Sequence, residues 1–262
     1  MNKKTKPMRK SFVRHALVVA VFLLAGFGAQ AEEPLKVYYV RHAQGGHNVA
    51  LEWKGIPKDQ WPPYVGNPDA FTPLGEAQVA ELTKKLDGMK FDFVASSPTW
   101  RTRNTILPYL RLKNLKAEIW PELMETPFVG PSVPADLPAP TAALFEGTVP
   151  LKISDSEKEF FDFRADGRNE IQMVPESNAA QYTSDSIALA EKTAQMVRTR
   201  FGKSGKTILL VGHGLAGTTL IRVLTGSTVP QHGLSNTKLW MAEEQPDGSF
   251  KLKMMNNVPY EK

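Results

Sequence analysis

LKVYYVRHAQGGHN, residues Leu35 to Asn48, changes character after Val40. Up to that point it is an apolar run of β-branched and aromatic residues, the pattern of a strand buried on both faces. From Arg41 onward it holds an arginine, two histidines and two adjacent glycines. Two other stretches repeat the apolar half, FDFVA at Phe91 to Ala95 and TILLV at Thr207 to Val211. Such runs predict a parallel sheet, because a strand with one wet face would alternate polar with apolar residues.

Helices are expected between these strands. Thr72-Pro73 opens one carrying Val79, Leu82 and Leu86, and Ser97-Pro98 opens another. A third runs from about Ser184 to Phe201 with Ala190, Ala194, Val197 and Phe201 on one face and Gly202 as its stop. The fourth follows Gly214 and ends near Gly226. LWMAEE and SFKLKM around Gln245-Pro246-Asp247-Gly248 predict a terminal antiparallel hairpin. Strand alternating with helix is the mark of an α/β class, a three-layer αβα fold with a mostly parallel central sheet. Ligands in such folds gather beyond the carboxyl ends of the strands. Pro127 to Pro150 contains six prolines and breaks the alternation. It is an excursion, within an insertion spanning about 126–180, that serves either as a lid or as a packed surface loop.

The first 31 residues have a basic leader, an apolar stretch from about Ala16 to Gly28 and the small-residue ending Ala29-Gln30-Ala31. This is the pattern of a cleaved secretory signal, too short for a comfortable membrane span, so the mature chain is expected to begin at Glu32 and to be periplasmic or secreted. The leader holds six Lys/Arg and no Asp/Glu, so the net charge of +5 becomes −1 without it. A near-neutral mature chain gives no general argument for nucleic acid or an anionic membrane, and anion binding must come from a local cluster. With 262 residues, 42% of them hydrophobic, the remainder forms one large domain, residues 32–262. Cysteine is absent, which excludes disulfides and thiolate zinc sites. No signal for an oligomeric state is present.

His42 and His213 each follow a predicted buried strand, Arg41 precedes the first histidine, and Arg101 lies one turn into the helix after Phe91 to Ala95. Fixed positive groups beside helix N-termini make a site for a tetrahedral anion, with phosphate the expected guest. A neutral imidazole facing phosphorus is a nucleophile, so His42 is the candidate for a phosphohistidine intermediate. Arg41, Arg101 and a protonated His213 would stabilise the equatorial oxygens without a metal or other cofactor. The proton donor is expected from Glu122 or Glu125 in PELMET.

VRHAQGGHN resembles the Arg-His-Gly signature of the histidine phosphatase superfamily, phosphoglycerate mutase-like branch, with Asn48 at its asparagine position. FTPLGEAQ, SSPTWRTRNT and VGHG resemble that family's further motifs, in family order. The resemblance implies a phosphoglycerate mutase-like fold and a nucleophilic His42. It implies phosphate binding by Arg41, Asn48, Arg101 and His213, and Glu125 as the acid, and Gln44 and Gly214 are further candidates for phosphate binding. Ala43 stands where the family has glycine, so the backbone there must avoid positive φ, with Gly45-Gly46 expected to supply the turn. Met124 replaces the arginine usual before the acid. The Arg-His-Gly-x-Arg-x-Pro pattern of acid phosphatases and phytases does not appear. An exported chain favours a phosphatase acting on a small phosphorylated substrate over a mutase, which remains the alternative beside a non-catalytic anion-binding protein of the same fold.

Gly212-His213-Gly214-Leu215-Ala216-Gly217 also satisfies the dinucleotide fingerprint G-x-G-x-x-G, but it lies near the chain end, and no acidic residue follows before Glu243. A metal bound by His42, His47 and His213 is disfavoured by the neighbouring arginines and by the lack of a His-Glu-x-x-His run. His47 and His232 are expected as a loop and a turn histidine, with contact between His47 and substrate as the alternative.

Overall fold

The computed structural model describes residues 33–126, 133, 135–142, 144, 151–169, 179–227 and 233–261. The expected signal segment, Pro127, Pro131, Pro134, Pro150 and His232 lie outside the described residues. Among those described, no helix is long and apolar enough to cross a membrane.

An eight-stranded sheet has the order β4-β3-β2-β5-β1-β6-β7-β8. Its strands are β1 (Lys36–Arg41), β2 (Phe93–Ser96), β3 (Ala117–Ile119), β4 (Phe161–Asp162), β5 (Thr207–Gly212), β6 (Leu239–Glu244), β7 (Phe250–Met255) and β8 (Val258–Pro259). The five strands from β4 to β1 are parallel, and β6 to β8 extend the sheet antiparallel. The expected terminal hairpin is β6–β7.

The helices are α1 (Pro73–Asp87), α2 (Trp100–Lys113), the single turn α3 (Asp155–Lys158), α4 (Ala179–Phe201) and α5 (Gly214–Thr225). Alternate strand residues divide between them. Val37, Tyr39, Ile208 and Leu210 pack on one face with Ala194 and Val197 of α4 and Leu220 and Leu224 of α5. Val40, Leu209 and Val211 pack on the other with Leu82 and Leu86 of α1 and Ile106 and Leu110 of α2. Period-2 side-chain alternation in strands that are apolar throughout thus produces the three layers.

Two helix starts differ from expectation. Thr99, not Ser97, is the N-cap of α2, and the Ser97 hydroxyl faces His213 Nε2 instead. Helix α4 begins at Ala179, about a turn before Ser184. The polar stretch Gln181 to Ser184 carries no apolar stripe, so periodicity misses it. Part of the proline-rich stretch docks on the second turn of α4. Pro138 O accepts from Ser184 Oγ at 2.6 Å, and Asp185 accepts from Thr141 N–H at 2.8 Å and Thr141 Oγ1 at 2.9 Å. Between that docked stretch and α4 lie α3 and the edge strand β4, both within the span read as an insertion.

Candidate active site

Adjacent strands β1 and β5 run parallel, with Arg41 opposite Gly212, so the next residues, His42 and His213, emerge side by side. Their ring centroids are 5.2 Å apart. His42 is fastened by its backbone: its N–H donates to Gly212 O (2.9 Å) and its carbonyl accepts from Asn236 Nδ2 (2.8 Å). Next to it, Ala43 N–H donates to Thr105 Oγ1 at 2.9 Å. His42 Nδ1 lies 2.7 Å from Ala43 O. A carbonyl only accepts, so Nδ1 carries the proton and Nε2 keeps its lone pair. That Nε2 is buried and has no partner among the described residues. Burial, with Arg101, Arg41 and His47 nearby, holds the imidazole well below its usual pKa.

His213 is arranged the other way round. Arg101 Nη2, a donor only, lies 3.1 Å from its Nδ1, while its Nε2 faces Ser97 Oγ at 3.0 Å and Thr99 Oγ1 at 3.4 Å. Nδ1 therefore accepts and Nε2–H donates. Burial and the flanking positive charges hold His213 neutral, which corrects the expectation of a protonated ring in this geometry. Its backbone is held from below by Tyr39, whose hydroxyl accepts from His213 N–H (2.7 Å) and donates to His213 O (3.0 Å). Burial raises the Tyr39 phenol, keeping it a neutral donor.

This packing accounts for the G-x-G-x-x-G stretch. A Cβ at Gly212 would lie 2.1 Å from Tyr39 Oη, one at Gly217 2.4 Å from the Tyr39 ring, and one at Gly214 3.1 Å from Arg41 Nε. The glycines make room for this chain's own tyrosine and arginine, so the dinucleotide reading loses its basis. Arg41 rests against the start of α5 and donates from Nη1 to Leu234 O at 2.9 Å. Nε of both Arg41 and Arg101 is buried without a partner among the described residues.

Glu122 and Glu125 separate cleanly. The 3-10 turn Pro121–Leu123 ends and Met124 is extended, with φ −61° and ψ 158°. The two carboxylates therefore do not share a face as they would in a helix. Glu122 is buried and binds Arg164 Nη1 at 2.6 Å. Glu125 reaches the cluster: Oε1 accepts from Ala216 N–H of α5 at 3.3 Å, and Oε2 lies 3.7 Å from His213 Nδ1. Burial raises the Glu125 pKa, opposed by the Ala216 N–H, Arg101 and Arg41.

Asn48 and Gln44 are placed as braces of the loop. Asn48 Oδ1 accepts from Gly45 N–H at 3.0 Å, and the Gln44 side chain accepts from Thr72 Oγ1 at 2.7 Å. Neither Gly45 nor Gly46 has positive φ, and Ala43 avoids it as well. The expected glycine turn is thus absent, and Gly46 is required instead because a Cβ there would overlap Tyr64 O. The residues that sequence reasoning missed are Tyr39, Ser97, Thr99, Thr105, Asn236 and the Ala216 amide. Of these, Ser97, at the end of an expected strand, and Thr105, which closes SSPTWRTRNT, had a signal in the sequence.

Ligand atoms of His42, Glu125 and His213 lie within 4.8 Å of one another, a set that could ligate a divalent cation. Arg41 and Arg101 in the same site oppose a cation and favour an anion. The arrangement offers an unprotonated nitrogen, two guanidinium groups and a carboxyl group of raised pKa around one place.

Residues 37–130 match the model of the histidine phosphatase superfamily (branch 1), a span that includes His42, Arg101 and Glu125. No curated protein matches the chain in sequence. Similar solved structures include a candidate alpha-ribazole-5'-P phosphatase from Escherichia coli. It is 18% identical, with a TM-score of 0.52, over 87% of this chain and 99% of the other. YhfR of Bacillus stearothermophilus is 15% identical with a TM-score of 0.52, over 86% and 98% of the two chains. A mycobacterial hydrolase is 15% identical with a TM-score of 0.51, over 86% and 99%. At these identities the likeness shows a common fold.

Proposed function

We propose that this chain, a member of the histidine phosphatase superfamily (branch 1), is an exported, metal-independent phosphatase that hydrolyses phosphomonoesters through a phosphohistidine on His42. The observation that carries the reading is the state of His42 Nε2: buried, unprotonated, unpartnered among the described residues, and in the field of Arg41 and Arg101. A buried imidazole held neutral by two arginines is poorly placed as a cation and well placed as a nucleophile toward a group those arginines hold.

In the first step Nε2 attacks phosphorus, and the bond to the leaving oxygen breaks with its electron pair going to that oxygen. Protonated Glu125 supplies the proton, so an alcohol departs. The developing charge on the equatorial oxygens is met by the guanidinium groups of Arg41 and Arg101 and by the α5 N-terminus beside Gly214. In the second step the Glu125 carboxylate takes a proton from water as the water oxygen attacks phosphorus. The N–P bond then breaks, its electron pair returns to Nε2, and inorganic phosphate leaves. Export is supported by the leader sequence, and metal independence by arginines that supply the charge a metal would otherwise bring.

The test is phosphate release from a panel of phosphate esters by the purified protein in EDTA, with His42→Ala alongside. Release that survives EDTA and disappears in the variant is expected. Transfer of the phosphoryl group to an added alcohol in preference to water would identify a mutase instead.

A further inference from the structure

We propose that His47 is a further phosphate-binding side chain, donating an imidazole N–H to a phosphoryl oxygen beside His42, and that residue 45 is glycine to give that ring its seat. The inference rests on the phosphatase reading above and adds a residue that the mechanism there does not use. Its starting point is position: the His47 ring centroid lies 5.5 Å from that of His42, at an interplanar angle of 46°. Its second support is an unmet bond. His47 Nδ1 is buried without a partner among the described residues, the condition also found at Arg41 Nε, His42 Nε2 and Arg101 Nε.

Folded proteins leave few buried polar atoms unsatisfied, and four gathered around two arginines and two histidines need a common explanation. A tetrahedral anion supplies one, since its oxygens can accept from several donors at once. His42 Nε2 is then the atom that faces phosphorus, and the other three are donors around it. Burial, with Arg101 and Arg41 close by, lowers the His47 pKa to about 4, so near neutral pH it brings an N–H without a third full positive charge.

Gly45 gives the independent observation. Its backbone, φ −89° and ψ 162°, is extended and open to any residue, so conformational freedom does not explain the glycine. A Cβ there would lie 2.8 Å from both Cε1 and Nδ1 of His47, with its next neighbour, Ala70 O, at an ordinary 3.4 Å. A side chain at residue 45 would therefore have to displace the imidazole. The loop carrying that imidazole is braced on both sides, by Asn48 Oδ1 on Gly45 N–H and by Gly46 N–H on Ala70 O at 2.9 Å. The backbone that carries the ring is thus fixed.

The experiment is calorimetric titration of inorganic phosphate into the unaltered protein, His47→Ala, Gly45→Ala, the double variant and His47→Gln. Each single alanine variant is expected to weaken phosphate about tenfold, the effect of losing one hydrogen bond to a charged group. The double variant should be no weaker than His47→Ala, because the Gly45→Ala methyl then meets no ring. His47→Gln, which keeps an N–H donor, should recover part of the affinity, a recovery that a purely structural role for His47 would not produce. Unchanged phosphate affinity in His47→Ala would overturn the assignment, and an undiminished Gly45→Ala effect in the His47→Ala background would overturn the role of Gly45. Because binding is read without turnover, a protein that binds phosphate through His47 yet hydrolyses no ester would remove the phosphatase reading alone. Hydrolysis with unchanged binding in His47→Ala would remove this inference alone, and absence of phosphate binding by the unaltered protein would remove both.

Discussion

The ends of β1 and β5 place the same residue at the same level of the sheet, yet the two histidines present opposite nitrogens to the site. His42 turns Nδ1 to its own Ala43 carbonyl and leaves Nε2 bare. His213 turns Nε2 to Ser97 and Thr99 and leaves Nδ1 facing Arg101 and Glu125. Burial holds both neutral. In the proposed mechanism, what separates the nucleophile from the binding group is therefore the set of hydrogen bonds on each ring, which fixes which lone pair is presented. A carbonyl one residue away serves one ring, and a hydroxyl from a third strand end serves the other.

This contrast can be broken from either side. His42→Ala should lower phosphate release by on the order of 10⁵-fold and abolish any acid-labile phosphoprotein. Turnover within tenfold of the unaltered protein would assign the nucleophile elsewhere. His213→Ala should cost about 10²- to 10³-fold, while labelled phosphate still becomes attached to His42, only more slowly. Complete loss of that label would erase the distinction between the two rings.

Glu125→Gln should slow alkyl phosphates by about 10²- to 10⁴-fold and aryl phosphates less, since aryl leaving groups need less protonation. Equal losses would remove Glu125 as the acid. Because burial raises the Glu125 pKa, its acid form persists to higher pH than an ordinary carboxyl group. For alkyl esters kcat/KM should hold below that raised value and fall as pH climbs through it, and Glu125→Gln should abolish this basic limb. Ser97→Ala removes the nearer of the two hydroxyls that face His213 Nε2–H and should cost about tenfold in turnover. The His213 ring nitrogen signals in NMR should then shift while those of His42 stay in place, because Arg101 still donates to His213 Nδ1. At the small end, Glu122→Gln should leave turnover near that of the unaltered protein and lower stability by about 1–2 kcal/mol in a denaturant titration, because it weakens only the ion pair with Arg164.

The parts of the site legible in the sequence are those attached to buried strands. LKVYYV and TILLV are apolar at nearly every position, so their ends, and with them Arg41, His42 and His213, could be located by composition. Arg101 followed from its distance to a strand end. Strands β3 and β4 were hidden by brevity: Ala117–Ile119 has a glutamate in its middle, and Phe161–Asp162 has only two residues. Glu122 and Glu125 could not be ranked from PELMET, because the choice turns on where a 3-10 turn of three residues stops. Ser97 resembles a helix opener for a related reason. A serine after a strand satisfies a helix N–H or a distant imidazole equally well, and only the packing of β5 beside β2 decides.

The Tyr39 hydroxyl joins residues 174 positions apart in the chain, which has a kinetic meaning. The length-dependent part of closing so long a loop costs about 5 kcal/mol, and no local segment can hold His42 beside His213 before that closure. Early collapsed species should carry α1, α2 and the β6–β7 hairpin without affinity for phosphate. The cluster around His42 and His213 therefore forms only once the central strands β1 and β5 have paired. Added phosphate should accordingly slow unfolding and leave the folding rate nearly unchanged.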